Sequence, residues 1–180
     1  FERFDGQAVT TEDFVRCMED AGDIDLSQFR RWYAQAGTPV LECADSFDAR
    51  TGAYTLEIRQ HTPTTPGQST KLPLQIPFAI GLLDAAGKDL PVQLDGESEA
   101  PPPGTRMLAL HEPVERFTFV GLDAEPVPSL LRGFSAPVIV RYPYTDAQLT
   151  FLMAHDSDGF NRWDAAQSLS VRLLLELVAE

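Results

Sequence analysis

Between Pro39 and about Tyr142 the apolar side chains recur at every second residue, whereas on both sides of that stretch they recur at every third or fourth. A period of two places successive side chains on opposite faces of a strand, and a period near 3.6 lines up one face of a helix. The chain therefore has to build a sheet structure with helical flanks. The alternation is plainest in Tyr54-Thr55-Leu56-Glu57-Ile58-Arg59, where Tyr54, Leu56 and Ile58 share one face and the polar residues share the other. Leu74, Ile76, Phe78, Ile80 and Leu82 repeat it over a longer run, and Pro77 within that run predicts an edge position or a bulge. Further strands are expected around residues 40–47, 90–94, 106–110, 115–120 and 137–142, about seven in all.

Turn residues separate these runs: Asp48-Ala49-Arg50-Thr51-Gly52, Asp84-Ala85-Ala86-Gly87-Lys88 and Glu112-Pro113. The segments 62–70 and 95–105, the second holding Pro101-Pro102-Pro103-Gly104, are too polar and too rich in breakers to be elements. Many short strands without crossover helices predict a mainly β protein, an antiparallel β-sandwich of immunoglobulin or fibronectin type flanked by helices at both ends. The tryptophan and cysteine pair of antibody domains is missing, so this likeness is one of architecture only.

In the N-terminal flank, Thr10 and Asp13 have the spacing of a capping box, and Phe14, Cys17 and Met18 follow on one helical face. A second helix is expected to start at Asp25 with Gln28, to carry Phe29, Trp32 and Tyr33, and to close at Gly37 before Pro39. After Tyr144, Thr145 and Gln148 form another capping box ahead of Leu149, Leu152 and Met153. Asp158 is placed to cap a last helix with the stripe Phe160, Trp163, Ala166, Ser170, Leu173 and Leu177. One preceding helix cannot cover so long a stripe, so residues 144–180 read as the opening of a larger all-helical domain. Phe1 is not an initiating methionine and Glu180 ends a helical pattern without a stop signal, so the chain reads as excised at both ends.

A formal net charge of -13, spread along the whole chain, argues against nucleic acid as a partner, because phosphate neutralisation needs clustered cations. The two cysteines, Cys17 and Cys43, have no metal-like spacing and read as free thiols of a reduced compartment. No run approaches the ~18 to 20 apolar residues of a membrane span, and no signal peptide opens the sequence. The cytoplasm is the expected location, with no membrane partner.

Chemistry-bearing patterns are sparse. His61, His111 and His155 lie far apart, none with a second His or Cys within a turn, and the H-E-x-x-H arrangement is absent, so each reads as structural or exposed. Ser135 lacks the strand-to-helix turn of a nucleophile and reads as the start of a strand. Neither Cys17 nor Cys43 has a base marked out for it. Gly81-Leu82-Leu83-Asp84-Ala85-Ala86-Gly87-Lys88-Asp89 imitates a phosphate loop, but its spacer is one residue too long and Asp89 replaces the magnesium-binding hydroxyl, so it reads as a hairpin turn. The acidic pairs Asp156 with Asp158 and Glu12 with Asp13 suit helix starts. Phe29, Trp32 and Tyr33 read as packing residues. No residue is assigned to catalysis, to a cofactor or to a metal.

Several stretches resemble a known family. Phe29-Arg30-Arg31-Trp32-Tyr33-Ala34-Gln35-Ala36-Gly37-Thr38-Pro39 is similar to the F-x-x-W-[FY]-x-Q-x-G-T-P that ends the catalytic domain of bacterial M1 zinc aminopeptidases, the aminopeptidase N family. Residues 72–82 resemble a strand of that family's small β-sandwich and 126–138 the run into its last strand, and 149–155 and 160–167 resemble the start of its C-terminal helical domain. The resemblance implies three parts: 1–38 as the last helices of a catalytic domain, 39–143 as the sandwich, and 144–180 as the opening of the helical domain. It implies a parent hydrolase that removes N-terminal amino acids from peptides with zinc, whose zinc and catalytic motifs lie upstream of Phe1. This chain alone is then expected to be inactive, with no cofactor of its own and with its parent's other domains as partners. Self-association through the uncovered C-terminal helices is expected of the isolated chain. The alternative is a free-standing β-sandwich interaction module.

Overall fold

The computed structural model describes residues 2–179. Among these residues seven strands form two sheets packed face to face, with helices on both sides of them in the chain. One sheet has the order β5-β2-β1-β7, formed by Val114–Phe119, Ala53–His61, Val40–Asp48 and Ile139–Arg141. The other has the order β4-β3-β6, formed by Arg106–Leu110, Ile76–Leu83 and Val127–Leu130. All neighbours are antiparallel except β1 and β7, which run parallel, with Val40 opposite Ile139. The expected antiparallel sandwich is present, with this one short parallel edge in it.

Alternation decides which residues enter the core. Tyr54, Leu56 and Ile58 on β2 are buried, as are Leu41 and Cys43 on β1, and they meet Phe78, Ile80, Leu82, Leu108 and Leu110 from the opposite sheet. Removing such side chains from water contributes about 1.5–3 kcal/mol each. The β1–β2 hairpin closes on the expected turn, where Asp48 Oδ1 accepts from Arg50 N and the carbonyl of Asp48 from Gly52 N. Gly52 is required twice over: its φ is 64°, and a Cβ there would come within 2.6 Å of the Leu122 carbonyl oxygen.

Pro77 lies inside β3, the central strand of its sheet, yet it is locally at an edge. Strand β6 pairs only with Ile80 to Leu83, so nothing flanks Pro77 on that side. Two residues on, where the backbone N–H points the same way, Ala79 N donates to Ser135 Oγ. Ser135 thus follows the 3-10 turn Arg132–Phe134 and satisfies a sheet edge; it does not start a strand.

Two further expectations are corrected. Residues 90–94 form no strand: Leu90 N donates to Leu82 O, Pro91 has no N–H to continue the ladder, and only isolated bridges join Leu83 to Asp89 and Leu94 to Phe119. The seventh strand is instead β6, which the alternation does not disclose because Pro126 and Pro128 interrupt it.

Helix α1, Thr11–Gly22, begins at the Thr10 and Asp13 capping box, but Phe14 and Met18 face outward and only Val15 is buried. The second N-terminal helix shrinks to α2, Arg31–Ala34, because Asp25 accepts from Ser27 and Gln28 is drawn away to other partners. It stops at Gln35, already extended, and not at Gly37. Helix α3, Asp146–His155, starts at the Thr145 and Gln148 capping box. Helix α4, Gly159–Ala179, is capped by Asp158 Oδ1, which accepts from Asn161 N. Leu149 and Leu152 of α3 and Ala165 of α4 pack on Leu83, so β3 is covered on both faces.

Candidate functional site

The densest polar chemistry lies where the sandwich meets α3 and α4. Leu131 and Phe134 both take positive φ, 56° and 50°, and between them the backbone turns the Arg132 side chain inward until the residue is 3% exposed. Its Nε donates to Ser129 Oγ at 2.8 Å and its Nη1 to Thr105 Oγ1 at 3.2 Å. Its Nη2 donates to Asp89 Oδ1 at 2.7 Å and to Asp156 Oδ1 at 3.0 Å. Ser157 donates to the other oxygen of Asp89, and Asn161 Nδ2 donates to Ser129 Oγ and to the Leu130 carbonyl. Gly133 N donates to Asp158 Oδ2. Burial alone would push the Asp89 carboxyl up, but hydrogen bonds from Arg132 and Ser157 bring it below its ordinary value. Asp156 Oδ2 is buried without a partner among the described residues.

A second joint ties the N-terminal flank to the stretch 72–75, which belongs to no strand. Gln35 brackets Leu72, accepting from its N–H and donating to its carbonyl, and Gln60 does the same for Leu74. Gln28 and Arg31 donate to the Pro73 carbonyl, and Trp32 Nε1 donates to the Gln75 carbonyl at 2.8 Å. Side-chain amides here do the work of a neighbouring strand, which a buried backbone requires from some partner. Helix α1 is held to this joint by Arg30, which pairs with Glu12 and Glu19.

Neither joint is built for turnover. The three histidines stay apart: His61 and His155 are exposed, and His111 Nδ1 is 3.0 Å from Gln28 Oε1. Among the described residues no group of three or more His, Cys, Asp or Glu side chains is placed to hold a metal. Cys43 is buried with its thiol pushed up to about 12 by burial, and Cys17 is half-buried. The false phosphate loop is a turn closed by Asp84, whose Oδ1 accepts from Ala86 N and Lys88 N. Of the acidic pairs, Glu12 pairs with Arg30 and Asp13 caps α1, while Asp156 and Asp158 belong to the arginine joint. Phe29 and Tyr33 meet edge to face at 5.9 Å, and Trp32 packs on the core.

Of the residues that organise the joints, Gln35 is the Q of F-x-x-W-[FY]-x-Q-x-G-T-P and Gln28 belongs to the helix-start signal with Asp25, whereas no sequence pattern assigns Arg132, Asp89, Asp156 or Gln60 to a joint. A further signal is an arginine set in the apolar run Leu130-Leu131-Arg132-Gly133-Phe134. An open groove of 950 Å³ runs between β7 and α4, with Val138, Ile139 and Phe160 beside Arg141, Asp164 and Arg172. Partial enclosure raises the Asp164 carboxyl above its ordinary value. No helix among the described residues is long and apolar enough to cross a membrane.

A β-sandwich whose two densest polar clusters hold its helical flanks defines a domain of immunoglobulin-like architecture followed by a pair of helices. The chain belongs to the family described as a domain of unknown function, DUF3458, with an Ig-like fold, whose model matches residues 37–143. A companion family, DUF3458_C, described as ARM repeats, matches residues 146–180. The chain is 50% identical over 169 residues to aminopeptidase N of Escherichia coli, covering 94% of this chain and 19% of that protein. It is 44% identical to aminopeptidase N of Haemophilus influenzae over 92% of its length, and 40% identical to that of Caulobacter vibrioides over 99%. Among solved structures, Legionella pneumophila aminopeptidase A, crystallised with aspartic acid, superposes with a TM-score of 0.79 at 30% identity. That match covers 97% of this chain and 18% of the other. The chain thus spans about a fifth of the length of the relatives it matches, 18–19%.

Proposed function

We propose that this chain is a non-catalytic segment of a zinc-dependent M1 aminopeptidase, a cytoplasmic hydrolase that removes N-terminal amino acids from peptides. In this reading residues 1–38 close the catalytic domain, 39–143 form the sandwich, and 144–180 open the C-terminal helical domain. The observation that carries it is the 50% identity to a single stretch of aminopeptidase N over 94% of the chain. The two joints support it, because each fixes a helical flank to the sandwich by side-chain hydrogen bonds. The described residues do not suit a zinc site, so the metal belongs to another part of the parent, and the parent's substrates meet residues outside this chain. The exposed apolar side chains of α4, among them Trp163, Leu174 and Leu177, disfavour a free-standing module, which would leave them in water.

The test is an assay of the full-length gene product on alanyl and leucyl arylamides, with and without a zinc chelator. Chelator-sensitive release of the amino acid is expected, and a full-length protein that folds but releases none would overturn the reading.

A further inference from the structure

The matched families divide the chain between residues 143 and 146, a place where a short connection could let two bodies swing. The side chains across that boundary indicate otherwise. The Arg132 guanidinium reaches four separate segments at once: Ser129 on β6, Thr105 ahead of β4, Asp89 after β3, and Asp156 between α3 and α4. A guanidinium is planar with its donors in a fixed fork, so four such bonds fix direction as well as distance. Asn161 of α4 independently bonds Ser129 and Leu130, and Tyr144 donates to the Pro128 carbonyl at 2.8 Å. Two glycines make the close approach possible. A Cβ on Gly81 would lie 2.0 Å from Arg132 Cζ, and one on Gly87 would lie 2.4 Å from His155 Cβ.

From this arrangement we infer that the sandwich and the α3–α4 pair move as one rigid body, with Arg132 as the residue that closes the joint, so that the connection at Pro143 is not a hinge. Opening the joint strands the buried Asp156 carboxylate, takes one partner from the buried Arg132 guanidinium and breaks the Ser157 bond to Asp89, and it uncovers Leu83, Leu149 and Leu152 in the same motion. These losses arrive together, so opening is all-or-none and the helices leave the sandwich in a fixed direction. The inference concerns this chain alone and stands or falls separately from the aminopeptidase reading.

The test is a distance measurement by pulsed electron resonance on the 180-residue chain, with spin labels at Arg50→Cys on the β1–β2 turn and Arg162→Cys on α4. Cys17→Ser removes the competing half-buried thiol, and the buried Cys43 is left in place. A single narrow distance distribution is expected, and Arg132→Met should broaden it and add a second component. A broad or two-component distribution in the parent chain overturns the inference, as does an Arg132→Met chain with the parent's narrow one. Should Arg132→Met fail to fold, Asp89→Ala, which removes one carboxylate and the Ser157 contact, must broaden the distribution; an unchanged width there also overturns it.

Discussion

The Arg132 guanidinium occupies the space that a side chain on Gly81 would need, since a Cβ there would lie 2.0 Å from Arg132 Cζ. Strand β3 is bare at that one point so that a charge can pass beside it toward Asp89 and Asp156. Gly81→Ala should therefore destabilise the chain by about 1–3 kcal/mol through overpacking, and Arg132→Ala by about 3–5 kcal/mol because it leaves the buried Asp156 carboxylate unpaired. In the double variant the vacated arginine volume accepts the new methyl, so the combined loss should fall short of the sum. Urea unfolding of the four chains reads the coupling, and strict additivity would contradict the shared-space account.

Glu19 is held at about 2, below its ordinary value of 4.5, chiefly by its hydrogen bonds from Arg30 and then by the Leu26 amide. The folded value is depressed, so the stabilisation is fully present above the unfolded value and is lost as pH falls through the folded one. Release of α1 from Arg30 should accordingly fall between pH 4.5 and about 2. A carboxyl titration by NMR would show it. A Glu19 midpoint near its ordinary value would remove the pairing with Arg30 from the account.

Cys43 is enclosed between the sheets, and burial pushes its thiol up to about 12, whereas Cys17 is half-buried on α1. Only the thiolate attacks disulfide reagents. In the folded chain at pH 8, Ellman's reagent should titrate Cys17 and leave Cys43 untouched until denaturant is added. Rapid reaction of both thiols without denaturant would mean that the core around Leu41 and Tyr54 is open.

Helix α4 leaves Leu173, Leu174, Leu175, Leu177 and Val178 between 49% and 83% exposed. Each Å² of that surface buried against another copy gains about 25 cal/mol. The isolated chain should therefore self-associate in sedimentation experiments as its concentration rises, and Leu174→Lys with Leu177→Lys should return it to a monomer. A parent chain that sediments as a monomer throughout would show that this face does not seek a partner.

What the sequence disclosed was local. The Thr10 and Thr145 capping boxes each involve residues three apart, and β2 alternates without interruption, so both could be read from neighbours alone. Strand β6 escaped because Pro126 before it and Pro128 within it mask the alternation and its partners, Ile80 to Leu83, lie more than forty residues away. Residues 90–94 misled because Pro91 ends a ladder that their apolar character suggests. The second helix fell short of Gly37 because Gln28 and Gln35 are taken up by Pro73 and Leu72, contacts with no local period. The arginine joint was hidden for the same reason: Arg132 meets Asp89, Asp156 and Thr105 at chain separations of 43, 24 and 27 residues.

The central claim is that this chain supports chemistry carried elsewhere in its parent. It is tested most directly by incubating the pure 180-residue chain with zinc and an alanyl arylamide while following arylamine release. No turnover above the zinc-only rate is expected, at any zinc concentration. Zinc-dependent, saturable release by the pure chain, abolished by a chelator, would contradict the account.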